Sequence, residues 1–425
     1  MTPLSSRNPS DRLRIIVTGY VVRLPLAGNV WCYLQYVLGL ARLGHDVYFV
    51  EESGDSPYCC YDIDRNTSGT DPSSGARFTR RAFERFGLGD RWAYWDEHTG
   101  EWLGPCAGSI GQICRTADVL LRMPAMTDSL KPWLEDIPVR ALIDHDPVFT
   151  QVRNLTNPEA RRDSDQYTAY LSFGENIARG TARVPDDGYA WGATRPPVVL
   201  EAWPATPGRV DGSFSTVLKW EAYSAVEFNG ISYGMKSASF EPFRELPDRV
   251  DAGLELAVGG GGAPTRDLLR LGWAIRDPPG LSSSLSSYQG YLQESMAEFS
   301  IAKQGYVTSR SGWLSERTGA EVHGHLFAKD RVHFSDESKI YRGGLSDHPR
   351  LRDYNAKMFL TNLIWNGRDN QHCFQFGPAD SQEVQWTLAK DTNASIWVIS
   401  GAVSYTHLRA HETNNSISYA VFCLK

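Results

Sequence analysis

A strand, a helix and a second strand within the first fifty residues constrain this chain most. Residues 14–19 (RIIVTG) form a short apolar run of the kind that makes a buried strand. A loop with Pro25 and Gly28 follows. From Asn29 to Leu43 the apolar residues Val30, Leu34, Val37, Leu38 and Ala41 fall on one helical face, with Asn29 as the expected cap and Gly44 as the stop. Residues 45–50 (HDVYFV) read as the second strand. Two strands joined through a single helix run parallel, and a parallel sheet needs helices on both faces. The expected class is therefore α/β.

The same alternation continues. Strands are expected at residues 117–121, 139–143 and 169–173, with a helix over 75–86. Residues 190–207 (AWGATRPPVVLEAWPATP) carry four prolines and read as a linker. A second series follows, with strands at 215–219, 254–258, 273–276 and 305–309, and helices after Pro264 and over 288–294. At 425 residues the chain has room for two to three domains. The net charge of −7 argues against general nucleic-acid binding. No apolar run reaches the ~20 residues of a membrane helix. The first 14 residues lack the apolar stretch of a secretory signal, and the seven cysteines do not form a disulfide framework. A cytoplasmic protein is expected.

Two segments carry a resemblance. Residues 26–52 (LAGNVWCYLQYVLGLARLGHDVYFVEE) have a small-residue loop, a helix ending in L-x-x-x-G-H-x-V and a second strand. Residues 297–320 (AEFSIAKQGYVTSRSGWLSERTGA) lie in the second series. The first resembles the opening of GT-B glycosyltransferases, and the second resembles the donor-side segment of a bacterial group of them. The resemblance implies two Rossmann-like domains facing a cleft, an acceptor domain over 12–195 and a donor domain over 208–320. It implies transfer of a sugar from a nucleotide-diphosphate donor to an acceptor, without a required metal or further cofactor. The alternative is a noncatalytic glycan- or nucleotide-binding protein of the same fold. A nucleotide-linked oxidoreductase is disfavoured because no G-x-G-x-x-G follows the first strand.

Ligands of open α/β sheets sit beyond the carboxyl ends of the strands, which selects the candidates. Gly28 and Asn29 follow the first strand and border the cleft, where a helix N-terminus favours an oxyanion. Asp144, His145 and Asp146 follow the strand over 139–143, and Glu175 follows the strand over 169–173. A carboxylate or imidazole there can take the proton of an acceptor hydroxyl. On the donor side a diphosphate needs fixed positive charge. Lys219 ends a strand, Lys303 lies in the resembling segment, and Arg310, Ser311, Gly312 and Glu316 follow it. The glycine run 259–262 lacks the lysine of a P-loop and reads as a plain βα loop.

Composition changes at Ala320. There are 28 Arg and 4 Lys up to it and 6 Arg and 5 Lys after it, while His rises from 3 to 7. The family-like pattern stops there, so the donor domain is expected to be incomplete and the protein inactive as written. Residues 321–402 match no family pattern, and the pair His323 and His325 has no placed partners for a metal. Residues 403–413 (VSYTHLRAHET) and 417–424 (ISYAVFCL) resemble a translated sequencing adapter, so 403–425 is expected to be a non-native tail.

Overall fold

The computed structural model describes residues 12–315, apart from 124–129, 205–211, 251, 296 and 314, together with five short strands beyond residue 332. The first sheet has eight strands: β1 (Arg14–Thr18), β2 (Asp46–Glu52), β3 (Trp92–Asp96), β4 (Glu101–Leu103), β5 (Val119–Arg122), β6 (Val139–Asp144), β7 (Ala169–Ser172) and β8 (Gly192–Ala193). Their order is β8-β7-β6-β5-β1-β2-β3-β4. Every neighbouring pair is parallel except β3 with β4. The chain winds outward from β1 to β3 on one side and from β5 to β8 on the other. The crevice of a doubly wound sheet opens where that direction reverses, between β1 and β5.

A second sheet is built from β9 (Phe214–Lys219), β12 (Leu254–Gly259), β13 (Ala274–Arg276), β14 (Ala297–Ser300) and β15 (Ile399–Ser400). Its order is β13-β12-β9-β14-β15, and all its pairs are parallel. Between β9 and β12 the chain makes an antiparallel hairpin of β10 (Val226–Phe228) and β11 (Ile231–Tyr233). The protein is thus a mixed α/β fold of two parallel sheets, with a separate apolar core around each.

Local sequence explains these elements. The run at β1 is buried on both faces, with Ile15, Ile16 and Val17 at most 4% exposed. Helix α1 (Ala27–Arg42) buries Val30, Leu34, Val37 and Leu38, as its periodicity requires. It begins at Ala27, so Asn29 sits in the first turn and is not the cap. Gly44 takes the left-handed conformation (φ 91°) and its N–H closes on the carbonyl of Ala41. Helix α2 (Ser73–Glu84) and helix α3 (Phe149–Thr156) cover the first half, and helix α4 (Leu285–Glu294) belongs to the second.

Two expectations are corrected. Residues 305–309, read as a strand, lie in the short helix α5 (Gln304–Thr308) and the turn after it, and the strand is β14 instead. The β-branched run there yields to packing: a Cβ on Gly305 would lie 2.5 Å from the Phe149 ring, so the helix docks where only glycine fits. The proline-rich segment is also less free than a linker. Gly192 and Ala193 form the edge strand β8, Val199 donates its N–H to Gln35 Oε1 at 2.7 Å, and Trp203 packs on Trp31 with ring centroids 4.7 Å apart.

The halves meet along α1 and α4. The N–H of Ala27 donates to the carbonyl of Ser282 at 3.0 Å, and Gln289 Nε2 donates to the carbonyl of Ala202 at 2.7 Å. Gly28 faces Tyr288, whose hydroxyl oxygen lies 3.0 Å from where a Cβ would be. Among the described residues no helix is long and apolar enough to cross a membrane.

Candidate functional site

The carboxyl end of β6 turns sharply through residues 144–149. Val148 has φ 72°, a conformation that β-branched residues avoid, so this turn is held against local strain. Asp144 is what holds it. Its side chain is fully buried and accepts four hydrogen bonds: from the Asp146 N–H at 2.9 Å, Thr150 Oγ1 at 2.7 Å, Gln151 Nε2 at 3.0 Å and Ser172 Oγ at 2.8 Å. Those four donors occupy the lone-pair positions of one carboxylate. Asp144, one of the expected bases, therefore organises the turn, with its acceptor positions taken by protein donors.

The turn points Asp146 at the second half. Lys303, the residue before α5, places Nζ 2.7 Å from Asp146 Oδ1. The hydroxyls of Tyr306 and Tyr223 both donate to the same carboxylate, and Lys303 Nζ lies 2.9 Å from the Tyr223 oxygen. The ammonium also sits over the rings of Tyr223 (4.4 Å) and Phe149 (5.0 Å). Burial opposes the charge on Asp146, but Lys303 and the two phenols outweigh it and hold the carboxyl below its ordinary range. For Lys303 burial dominates and lowers the ammonium, with Asp146 pulling the other way. Burial and the Asp146 charge raise both tyrosines, which stay protonated as donors. Tyr223 and Tyr306 had no signal in the sequence beyond their amphipathic rings.

Lys219 ends β9 on the same side. It is exposed, and among the described residues it makes no ion pair. Its positive charge is felt at Lys303. It lies against the glycine run after β12: Lys219 pairs with Gly259 across the ladder, and a Cβ on Gly260 (φ 90°) would lie 3.1 Å from Lys219 Cγ. Backbone without side chains beside a lone ammonium leaves room for an anion.

In the first half, several backbone donors of the loop after β1 are engaged within the protein. Glu51, at the end of β2, accepts the N–H groups of Val21 (2.7 Å), Val22 (2.8 Å) and Arg23 (2.8 Å) from the loop after β1. Asn29 Nδ2 donates to the carbonyl of Leu24 at 2.9 Å, and the first N–H of α1 is taken by Ser282. Asn29 thus closes the loop through its side chain, and Gly28 packs against Tyr288 of the second half. Burial pushes the Glu51 carboxyl from 4.5 up to about 7, against the pull of its three backbone donors. A raised value in the fold favours the protonated acid. The contribution is complete below 4.5 and is lost as pH rises through about 7. Wild-type stability relative to Glu51→Gln is expected to fall by up to ~3 kcal/mol between about pH 5 and about pH 8 in urea unfolding. A difference that does not change with pH would refute this.

The remaining candidates lie between the halves. Glu175, another expected base, is buried and paired with both Arg179 and Arg195. The Arg310 carbonyl accepts from Asn176 Nδ2 at 2.9 Å, and the Ser311 carbonyl accepts the Asn176 N–H at 3.0 Å. Gly312 (φ 78°) faces Asn176, 2.9 Å from where its Cβ would stand. This segment straps the second half to the first, so Arg310, Ser311 and Gly312 serve contact through their backbone. Glu316 lies outside the described residues. His145 is half-buried between the two aspartates, and its carbonyl accepts from Trp313 Nε1 at 3.2 Å. Among the described residues no group of three or more His, Cys, Asp and Glu is placed to hold a metal ion.

A family model described as a family of unknown function, DUF5927, matches residues 294–421. The match crosses Ala320 and Val403, the two positions at which the sequence suggests a change of origin. No curated protein matches the sequence. Solved structures similar to this chain include an alpha-glucosyltransferase in complex with UDP and a 13-mer DNA, at 12% identity and TM-score 0.40, covering 74% of this chain and 78% of that one. MurG of Acinetobacter baumannii is similar at 8% identity and TM-score 0.29, covering 73% and 76%. UGT89C1 of Arabidopsis thaliana, complexed with UDP-L-rhamnose, is similar at 11% identity and TM-score 0.29, covering 71% and 78%. The architecture described above stands on the two sheets themselves.

Proposed function

We propose that this chain is a glycosyltransferase-like protein that takes a nucleotide-diphosphate sugar between its two halves. One observation carries the reading. Two separate parallel sheets face each other with their carboxyl ends, and the residues just past β6 and β14, Asp146 and Lys303, touch. Ligands of such sheets bind at those ends. The second half supplies the donor subsite: Lys219 and the glycine run 259–262 meet the diphosphate, and Lys219 offsets the charge that grows as the diphosphate leaves. The first half, whose loop after β1 is closed on Glu51, takes the acceptor. His145 stands at the carboxyl end of β6 as the imidazole nearest the transfer.

The noncatalytic reading also has an observation in its favour. Asp144, Asp146 and Glu175 all spend their oxygens on protein partners. Titration calorimetry with UDP and GDP, followed by release of the diphosphate from the corresponding nucleotide sugars, separates the readings. Wild type is expected to bind one of these diphosphates, and Lys219→Ala to weaken that binding roughly 10- to 100-fold, the worth of one charged hydrogen bond. Binding without release supports the noncatalytic protein. Equal binding by wild type and Lys219→Ala refutes the donor subsite.

A further inference from the structure

A second concave site lies away from the Asp146–Lys303 contact, between α2 of the first half and the start of α4 of the second. It is a pocket of about 160 Å³. Arg77, Arg81 and Arg85 line one wall. Arg77 and Arg81 lie four residues apart on α2 and Arg85 is its C-cap, still in helical conformation, so the three stand on one face. The facing wall carries the hydroxyl residues Ser283, Ser284 and Ser286, and Ser74 adds a buried hydroxyl from α2 itself.

The charges do not balance. Asp64 is the one acid lining this pocket, and it pairs with Arg77 at 3.7 Å. Arg85 donates to Ser286 Oγ at 3.3 Å and to Gln289 Oε1 at 2.7 Å, both neutral, and lies over the rings of Trp31 and Phe86. Arg81 has no ion pair among the described residues. Three guanidinium groups against one carboxylate leave two positive charges in a concavity. Between them is the N-terminal end of α4, a ten-residue helix whose dipole adds positive potential there. Planar N–H donors, hydroxyls and a helix start are the groups that recognise phosphate oxygens. Phe78 and Leu285 give the same pocket an apolar side, which suits an organic portion attached to the phosphate.

We infer that this pocket binds the phosphate of a small phosphorylated molecule, at a site distinct from the donor subsite beside Lys219. The ligand touches both halves, through the arginines of α2 and the serines before α4. Its occupancy therefore favours the closed arrangement in which the halves are in contact.

The test uses the whole chain and inorganic pyrophosphate as probe, with binding followed by titration calorimetry. Lys219→Ala removes the proposed donor contact and is expected to leave one equivalent of pyrophosphate bound. Adding Arg77→Ala and Arg81→Ala to that variant is expected to weaken the remaining binding at least tenfold. Both arginines are exposed on α2, so thermal unfolding should change little and serves as the control. Failure of Lys219→Ala to bind pyrophosphate at all overturns the inference, as does unchanged binding after the arginines are removed. Neither result bears on whether a nucleoside diphosphate needs Lys219, which the titrations with UDP and GDP decide.

Discussion

Asp144→Ala is expected to destabilise the protein by ~4 kcal/mol. The substitution strips the acceptor from four donors at once: a backbone N–H, two hydroxyls and a side-chain amide. Each buried donor left without a partner costs ~1–3 kcal/mol, and water entering the space recovers part of the total. A typical domain is stable by only 5–15 kcal/mol, so the loss is severe. Asp144→Asn keeps the shape but turns an acceptor into a donor on one side, and should fall between wild type and alanine. Urea unfolding of the three proteins measures the order. A loss below ~1 kcal/mol for alanine would show that Asp144 is not what organises the turn, and would reopen it as a substrate-facing group.

That residue also shows what could be read in the sequence. Asp144 was located correctly at a strand's carboxyl end, because β6 is an apolar run that ends in it. Its role was not legible, because its partners Thr150, Gln151 and Ser172 lie 6, 7 and 28 residues away and no spacing rule joins them. The partners of Glu175 are hidden in the same way: Arg195, one of the two, lies 20 residues on, inside a segment that reads as a linker. The unit β1–α1–β2 was legible nearly to the residue, since buried strands and a one-sided helix write their burial into local periodicity. The loop after β1 was not. That loop reads as a site for an anion, and the acceptor its N–H groups meet is the carboxyl of Glu51 from the neighbouring strand. Helix α5 was misread because its residues favour a strand locally, while Gly305 against Phe149 decides the matter in three dimensions.

Breaking the contact between Asp146 and Lys303 is the other large effect. Lys303→Met leaves a carboxylate with two phenol donors in a site where its cation was 14% exposed, and Asp146→Asn leaves the ammonium over three rings without its counter-charge. Removing one partner of a buried pair typically costs ~3–5 kcal/mol, most of it the burden of the charge left behind. The double variant leaves neither charge and should be less destabilised than the sum of the two singles, with a coupling of ~2 kcal/mol or more in a double-mutant cycle. The acid side gives an independent check. Asp146 is held below its ordinary 3.8, so its contribution is present above that value and disappears as pH falls through the lower value in the fold. Asp146→Asn should therefore flatten the acid limb of the stability profile. Independent, additive losses would mean that the two residues touch without depending on each other, and the closed arrangement of the halves would then rest on α1 and α4. If the coupling is found and the double variant still binds a nucleoside diphosphate as wild type does, the pair is a latch beside the donor site. If binding is lost while the fold survives, the latch and the proposed donor subsite are one device, with the same cation serving both.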